Sequence, residues 1–89
     1  MALFTLGRTV ATPGALAFCG EYRIDHFQLM LRHAGGDWGD LSADDLAANV
    51  SAIQYGGRVF SSYTFPAGKL WIITEASRTS TCLLLPDEY

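Results

Sequence analysis

Positive charge is scarce in this chain. One lysine, Lys69, and five arginines face nine carboxylates, for a net charge of −3 and a pI near 5.0. Nucleic-acid binding draws most of its affinity from Lys and Arg displacing counterions from phosphates, so a nucleic-acid partner is disfavoured. Long apolar runs are also missing. No stretch approaches the ~18 to 20 apolar residues of a membrane helix. The first eleven residues lack the basic start and apolar run of a signal peptide, so a cytoplasmic protein with no membrane association is expected. Cysteine is limited to Cys19 and Cys82, far apart and without a CxxC partner, which leaves no support for a zinc site or redox motif. Buried free thiols are expected, a disulfide being the second reading. There is no GxSxG elbow, no SxxK pair and no GxGxxG between a strand and a helix, since Gly35-Gly36 and Gly56-Gly57 follow helices. No cofactor, metal or catalytic residue is therefore assigned.

What is present describes an ordered domain. Hydrophobic residues make up 49% of the 89 residues and charged ones 17%, below the usual charged share of about 25%. One domain of this size buries roughly 60 to 65% of the surface its unfolded chain exposes. Leu3 to Ala11 reads as a short strand or extended lead-in. Thr12-Pro13 predicts a helix start, with Thr12 as cap and Pro13 where a missing N–H costs nothing, and Gly20 reads as its stop. Ile24, Phe27, Met30 and Leu31 fall on one face of a second helix over residues 24–33. Ser42, with Asp44 and Asp45 in the first turn, predicts a third, whose apolar stripe is Leu46, Val50 and Ile53.

From Arg58 onward the pattern turns β-rich. Three strand-like runs, 58–65, 70–75 and 81–85, are separated by turn-length links, Pro66-Ala67-Gly68 and Ser77-Arg78-Thr79-Ser80, and Pro86 should end the last. The architecture expected is α+β: two or three helices on one face of a three- or four-stranded antiparallel sheet, with the first strand free to join either edge.

The run His33-Ala34-Gly35-Gly36-Asp37-Trp38-Gly39-Asp40-Leu41 is the richest segment, because a connector seldom combines a Trp with three glycines and two acids. Trp38 has two readings: a ring that plugs the core while its indole N–H bonds a loop carbonyl, or an exposed anchor for a partner. Tyr63, among Ser61, Ser62 and Thr64, is a second surface candidate, whereas Trp71, Phe60 and Phe27 read as core. The acids Asp37, Asp40, Asp44 and Asp45 with His33 and Glu75 are oxygen- and nitrogen-bearing types that hold hard cations, but their spacing lacks a calcium loop's alternation, and helix caps explain Asp44 and Asp45. Glu75 and Arg78 beside either His26 or His33 are the types that small ribonucleases use as base, cation and acid. That chemistry requires the groups to converge; a Glu and an Arg flanking a turn otherwise form a surface pair worth at most about 1 kcal/mol.

The chain also resembles a known family. Thr12-Pro13-Gly14-Ala15-Leu16, Leu31-Arg32-His33-Ala34-Gly35-Gly36-Asp37-Trp38-Gly39-Asp40-Leu41, Asp44-Asp45 with Asn49, Gly57-Arg58-Val59-Phe60-Ser61-Ser62-Tyr63, Leu70-Trp71-Ile72-Ile73-Thr74-Glu75-Ala76 and Leu83-Leu84-Leu85-Pro86-Asp87-Glu88-Tyr89 follow the motif order of small bacterial proteins carried on plasmids, integrative elements and phages, usually called plasmid-related proteins. Ser77 stands where that family places an acid. The label of type I restriction methylation subunit sometimes attached to the family does not suit 89 residues without a Gly-rich S-adenosylmethionine motif or an Asn-Pro-Pro-Tyr-type loop. The resemblance implies a mobile-element setting and an accessory role, not an activity.

Two functions compete. The favoured one is a non-enzymatic accessory protein that binds another protein, through Asp37, Trp38, Asp40, Glu75 and Arg78; blocking a basic, nucleic-acid-binding host defence complex suits its acidic surface. The alternative is a small hydrolase or ribonuclease using His33 or His26 with Glu75 and Arg78. Monomer and homodimer both remain open, because only Pro86 guards a sheet edge. On the favoured reading Trp38→Ala and Asp40→Ala reduce partner capture and leave the thermal midpoint nearly unchanged.

Overall fold

Thr12 and Pro13 start the first helix as their chemistry requires. In the computed structural model, which describes residues 2–89, the Thr12 hydroxyl accepts from the Ala15 N–H at 3.1 Å and Pro13 occupies the first turn of α1, Pro13–Tyr22. Gly20 does not stop it: the helix ends at Arg23, in the left-handed region with φ 55. Asp25 caps α2, His26–Ala34, through the Phe27 N–H at 3.0 Å. Ser42 caps α3, Ala43–Tyr55, through the Asp45 N–H at 3.1 Å.

Four strands form one sheet: β1 Arg8–Ala11, β2 Val59–Phe65, β3 Gly68–Thr74 and β4 Ser80–Leu84, in the order β1-β4-β3-β2. β2, β3 and β4 are the antiparallel meander, joined across Pro66-Ala67 and across Arg78 at φ 62. Pro86 ends β4 and opens a short 3-10 turn, Pro86–Glu88.

The class is α+β, with two corrections to the expected layers. The sheet is mixed, because β1 joins the β4 edge parallel to it, Arg8 beside Ser80 and Ala11 beside Leu83. Local periodicity identifies a strand but carries no information on the direction of a partner some 70 residues away, so an all-antiparallel sheet was the wrong extrapolation. Nor do the helices form one layer on the meander. Ala15 and Cys19 of α1 and Leu29 and Met30 of α2 share a core with Tyr63, Leu70, Ile72 and Leu83, whereas α3 lies along the β2 edge, where Ala52 packs with Trp38 and Val59.

The two amphipathic helices are turned relative to their apolar stripes. In α2 the buried residues are Leu29, Met30, His33 and Ala34, which leaves Phe27 71% and Leu31 67% exposed. In α3 the inward residues are Asn49 and Ala52, and Leu46 and Val50 are 49% and 54% exposed. A helix advances 100° per residue, so committing one polar side chain to the interior swings the apolar stripe toward solvent. His33 and Asn49 are those polar side chains. Phe60 and Trp71, expected in the core, are half-buried and meet edge-to-face at 5.0 Å. They lie on the other face of the sheet, since strand alternation sends Val59, Ser61 and Tyr63 inward and Phe60 outward.

Candidate functional site

Inward-facing polar residues of three strands converge on one histidine. Ser61 of β2, Thr74 of β3 and Thr81 of β4 are each at most fractionally exposed, and His33, near the end of α2, is fully buried among them. Ser61 Oγ lies 2.6 Å from His33 Nδ1, and Thr74 Oγ1 lies 2.9 Å from Nε2. Thr74 Oγ1 is 2.7 Å from Thr81 Oγ1, and the Thr81 hydroxyl donates to the Leu6 carbonyl at 2.7 Å.

The accepting end of this chain assigns its protons as far as His33 Nε2. The Leu6 carbonyl can only accept, so Thr81 spends its hydrogen there and must accept from Thr74. Thr74 then accepts from His33 Nε2–H, whereas the Ser61 hydroxyl can donate to a bare Nδ1 or accept from an Nδ1–H. Burial decides between the two, pushing the pKa down from 6.5 to about 4, so the imidazole is neutral, as the Nε2–H tautomer, and Ser61 donates to Nδ1. Phe4 meets the ring edge-to-face at 5.3 Å. With both nitrogens occupied and no exposed surface, His33 cannot take a proton from a substrate or reach a phosphodiester.

Trp38 closes one end of this arrangement. It is 7% exposed, and its indole N–H donates to the His33 carbonyl at 3.1 Å. The plug reading holds, and Trp38 is withdrawn as a surface anchor. The connector also acts as a strand partner: the Ser62 N–H donates to the Trp38 carbonyl at 3.0 Å and the Asp40 N–H to the Ser62 carbonyl at 2.7 Å. Between them Gly39 has φ +75 and so little room that a Cβ would strike the Ser62 carbonyl, which is why a side chain is not tolerated there. Further along the same edge, the Asn49 amide donates to the Phe60 carbonyl at 2.6 Å and accepts from its N–H at 3.0 Å. These two devices cover the outer edge of β2 at Phe60 and Ser62.

The remaining sequence candidates separate. Asp37 accepts from Arg32 at 2.7 Å and 3.3 Å, and this guanidinium holds its carboxyl below the usual range. Arg32 also lies over the Tyr63 ring at 4.5 Å. Tyr63 is no surface residue: it is 2% exposed, donates to the Asp37 carbonyl at 2.7 Å, and burial pushes its phenol up to about 12. Arg78 serves the fold, donating to the carbonyls of Gly57, Glu75 and Ala52. The Ala52 contact places a cation in the last turns of α3, where the helix dipole favours it. Asp40, Asp44, Asp45 and Glu75 are exposed.

The trio required for ribonuclease chemistry is not assembled. Among the described residues no hydrogen bond or ion pair joins either histidine to the Glu75 or Arg78 side chain, and His26 stacks on Phe27 at 4.7 Å. No three His, Cys, Asp or Glu side chains among the described residues group as cation ligands. Cys19 and Cys82 are free thiols, and burial pushes both upward. Among the described residues no helix is long and apolar enough to cross a membrane.

Sequence reasoning missed Ser61, Thr74, Thr81 and Asn49. Strand alternation contained a signal for the first three, because Ser61 shares parity with Val59 and Tyr63, and a polar residue at an inward position demands a partner. Comparison with protein-family models, curated proteins and solved structures finds no match for this chain.

Proposed function

We propose that this chain is a non-enzymatic binding protein whose contact surface is the outer face of α3 with the acidic segment before it. The observation that carries this reading is the exposure of Leu46 and Val50, 49% and 54%, one helical turn apart. Asp40, Asp44 and Asp45 stand exposed at the N-terminal end of the same helix. A stripe of aliphatic side chains led by acids fits a groove with an apolar floor and a basic rim, the helix-in-groove mode of recognition. The charges would steer encounter and select the partner, and the aliphatic stripe would supply the desolvated centre.

A basic groove is the kind of surface with which a protein holds nucleic acid, so occupying it would inhibit a nucleic-acid-binding complex. A mobile-element setting, a cytoplasmic location and a host defence complex as target are consistent with that role. Asp37 and Asp40, expected from the sequence as contact residues, lie at the acidic end of this surface, Glu75 lies outside it, and Trp38 and Arg78 support it from within. The enzyme alternative lacks a converged set, since His33 is enclosed and saturated and, among the described residues, no hydrogen bond or ion pair joins His26 to Glu75 or Arg78.

The test is capture of a partner from lysate of the native host, followed by pairwise binding of the purified proteins. Leu46→Lys with Val50→Lys should weaken the purified pair by about 30-fold or more without lowering the thermal midpoint, and raised salt should weaken the wild-type pair. Binding indifferent to both would overturn the proposal. Cleavage of RNA by wild type, lost in a folded His33→Gln variant, would restore the enzyme reading.

A further inference from the structure

The two edges of the sheet are treated differently. The Asn49 amide and the 38–40 connector occupy the backbone of β2 at Phe60 and Ser62. At the other edge, the Arg8 N–H donates to the Thr79 carbonyl and the Thr12 N–H to the Leu83 carbonyl. Even-numbered residues of β1 therefore face β4, and strand alternation turns the N–H and C=O of Thr9 and Ala11 outward. Among the described residues nothing bonds to them. No proline, lysine or bulge guards this edge. Beside it runs a mostly apolar groove of about 480 Å³ between β1 and α2, where Val10, Phe27, Met30 and Leu31 are joined by Thr9 and His26.

We infer that the occupant of this edge is a second copy of the chain, its β1 antiparallel to the first about a two-fold axis through Val10. The hydrogen-bond parity allows this register. Thr9 of each copy faces Ala11 of the other, so outward groups meet outward groups, and each such pair exchanges both of its N–H···O bonds. Val10, 43% exposed, lies opposite Val10 of the second copy in the close, non-bonded pairing. Arg8 falls opposite Thr12 of the second copy, whose hydroxyl donates to the Glu88 carboxylate at 2.6 Å. An exposed guanidinium is thereby brought to a carboxylate, and no like charges are opposed. The groove continues the contact, for Phe27 and Leu31 stand one turn apart on α2, 71% and 67% exposed, and the axis sets them against their own counterparts.

The result is one continuous eight-stranded sheet with the two α3 faces at its far ends. The inference is independent of the role proposed for α3, and if both hold, the assembly is bivalent.

Sedimentation equilibrium of the intact chain from about 1 to 300 µM, with amide hydrogen exchange at both limits, tests it. Four-residue strands and three exposed apolar side chains per copy, Val10, Phe27 and Leu31, make an interface smaller than the standard ~1,600 Å², so the mass should double within this range. The Thr9 and Ala11 amides should gain protection as it does. Val10→Lys sets two ammonium groups face to face and should hold the chain monomeric with unchanged far-UV circular dichroism; Phe27→Asp should do the same. A monomer throughout the range would overturn the inference. So would a dimer that survives Val10→Lys, or one that leaves the Thr9 and Ala11 amides unprotected. Binding of an extended apolar peptide at this edge by a chain that stays monomeric would assign the surface to another partner.

Discussion

Acid should loosen this fold well above the carboxylate range, because His33 is buried without charge. In the unfolded chain its imidazole takes up a proton near 6.5, whereas in the folded state desolvation delays this to about 4. Between these limits the unfolded state binds more protons, so stability is full above 6.5 and is lost as pH falls toward about 4. Two-state linkage gives a loss of about 2 kcal/mol between pH 7.5 and pH 5, rising to about 3 kcal/mol once both states are protonated. For a domain of this size 2 kcal/mol lowers the thermal midpoint by about 10 °C. The assay is urea denaturation from pH 7.5 to 5, above the range where most carboxylates titrate, on wild type, His26→Gln and His33→Gln. The slope should persist in His26→Gln and flatten in His33→Gln. If His33→Gln fails to fold, nitrogen shifts of the His33 ring in wild type give the same information, showing protonated Nε2 and bare Nδ1 down to pH 5. A flat stability profile in wild type, or a ring that titrates near 6.5, would refute the burial argument.

Three further substitutions probe the same core. Thr74→Val strands the His33 Nε2–H and removes the donor to Thr81, so chemical denaturation should show a loss of about 1 to 3 kcal/mol, larger than that of Ser61→Ala, which removes one donor to Nδ1. Trp38→Ala should cost about 3 to 5 kcal/mol by cavity formation, while Trp38→Phe retains most of the ring and loses the bond to the His33 carbonyl; thermal melts of the pair separate packing from hydrogen bonding. Asn49→Ala frees the Phe60 N–H and C=O at the β2 edge, and should both destabilise by about 1 to 3 kcal/mol and promote concentration-dependent aggregation visible by light scattering.

The elements were legible in the sequence and their pairing was not. Thr12-Pro13, Asp44-Asp45 after Ser42, and Pro86 are local signals, and each marks the boundary it should. The parallel docking of β1 on β4 depends on contacts distant in sequence and left no local trace. The helix faces were legible only in part, since Ile24, Met30 and Ile53 pack inward and the rest of each stripe does not, and the reason is a different one. Periodicity counts apolar side chains, but α2 and α3 are oriented by His33 and Asn49, whose hydrogen bonds to the strands outrank the burial of Phe27, Leu31, Leu46 and Val50. The site candidates divided on the same principle. Trp38, Tyr63 and Arg78 are the residue types of a binding surface, yet each has an internal carbonyl to satisfy. A polar or aromatic residue in a connector is as readily a clasp for the fold as a contact for a partner.

If this protein acts through the face of α3 and not through His33, as proposed, a bound partner must register on that helix. Hydrogen exchange of the chain with and without its purified partner tests it most directly. Exchange should slow over residues 40–54, an effect abolished by Leu46→Lys with Val50→Lys, and should not change around His33. Protection confined to other segments, with α3 exchanging as in the free chain, would contradict it.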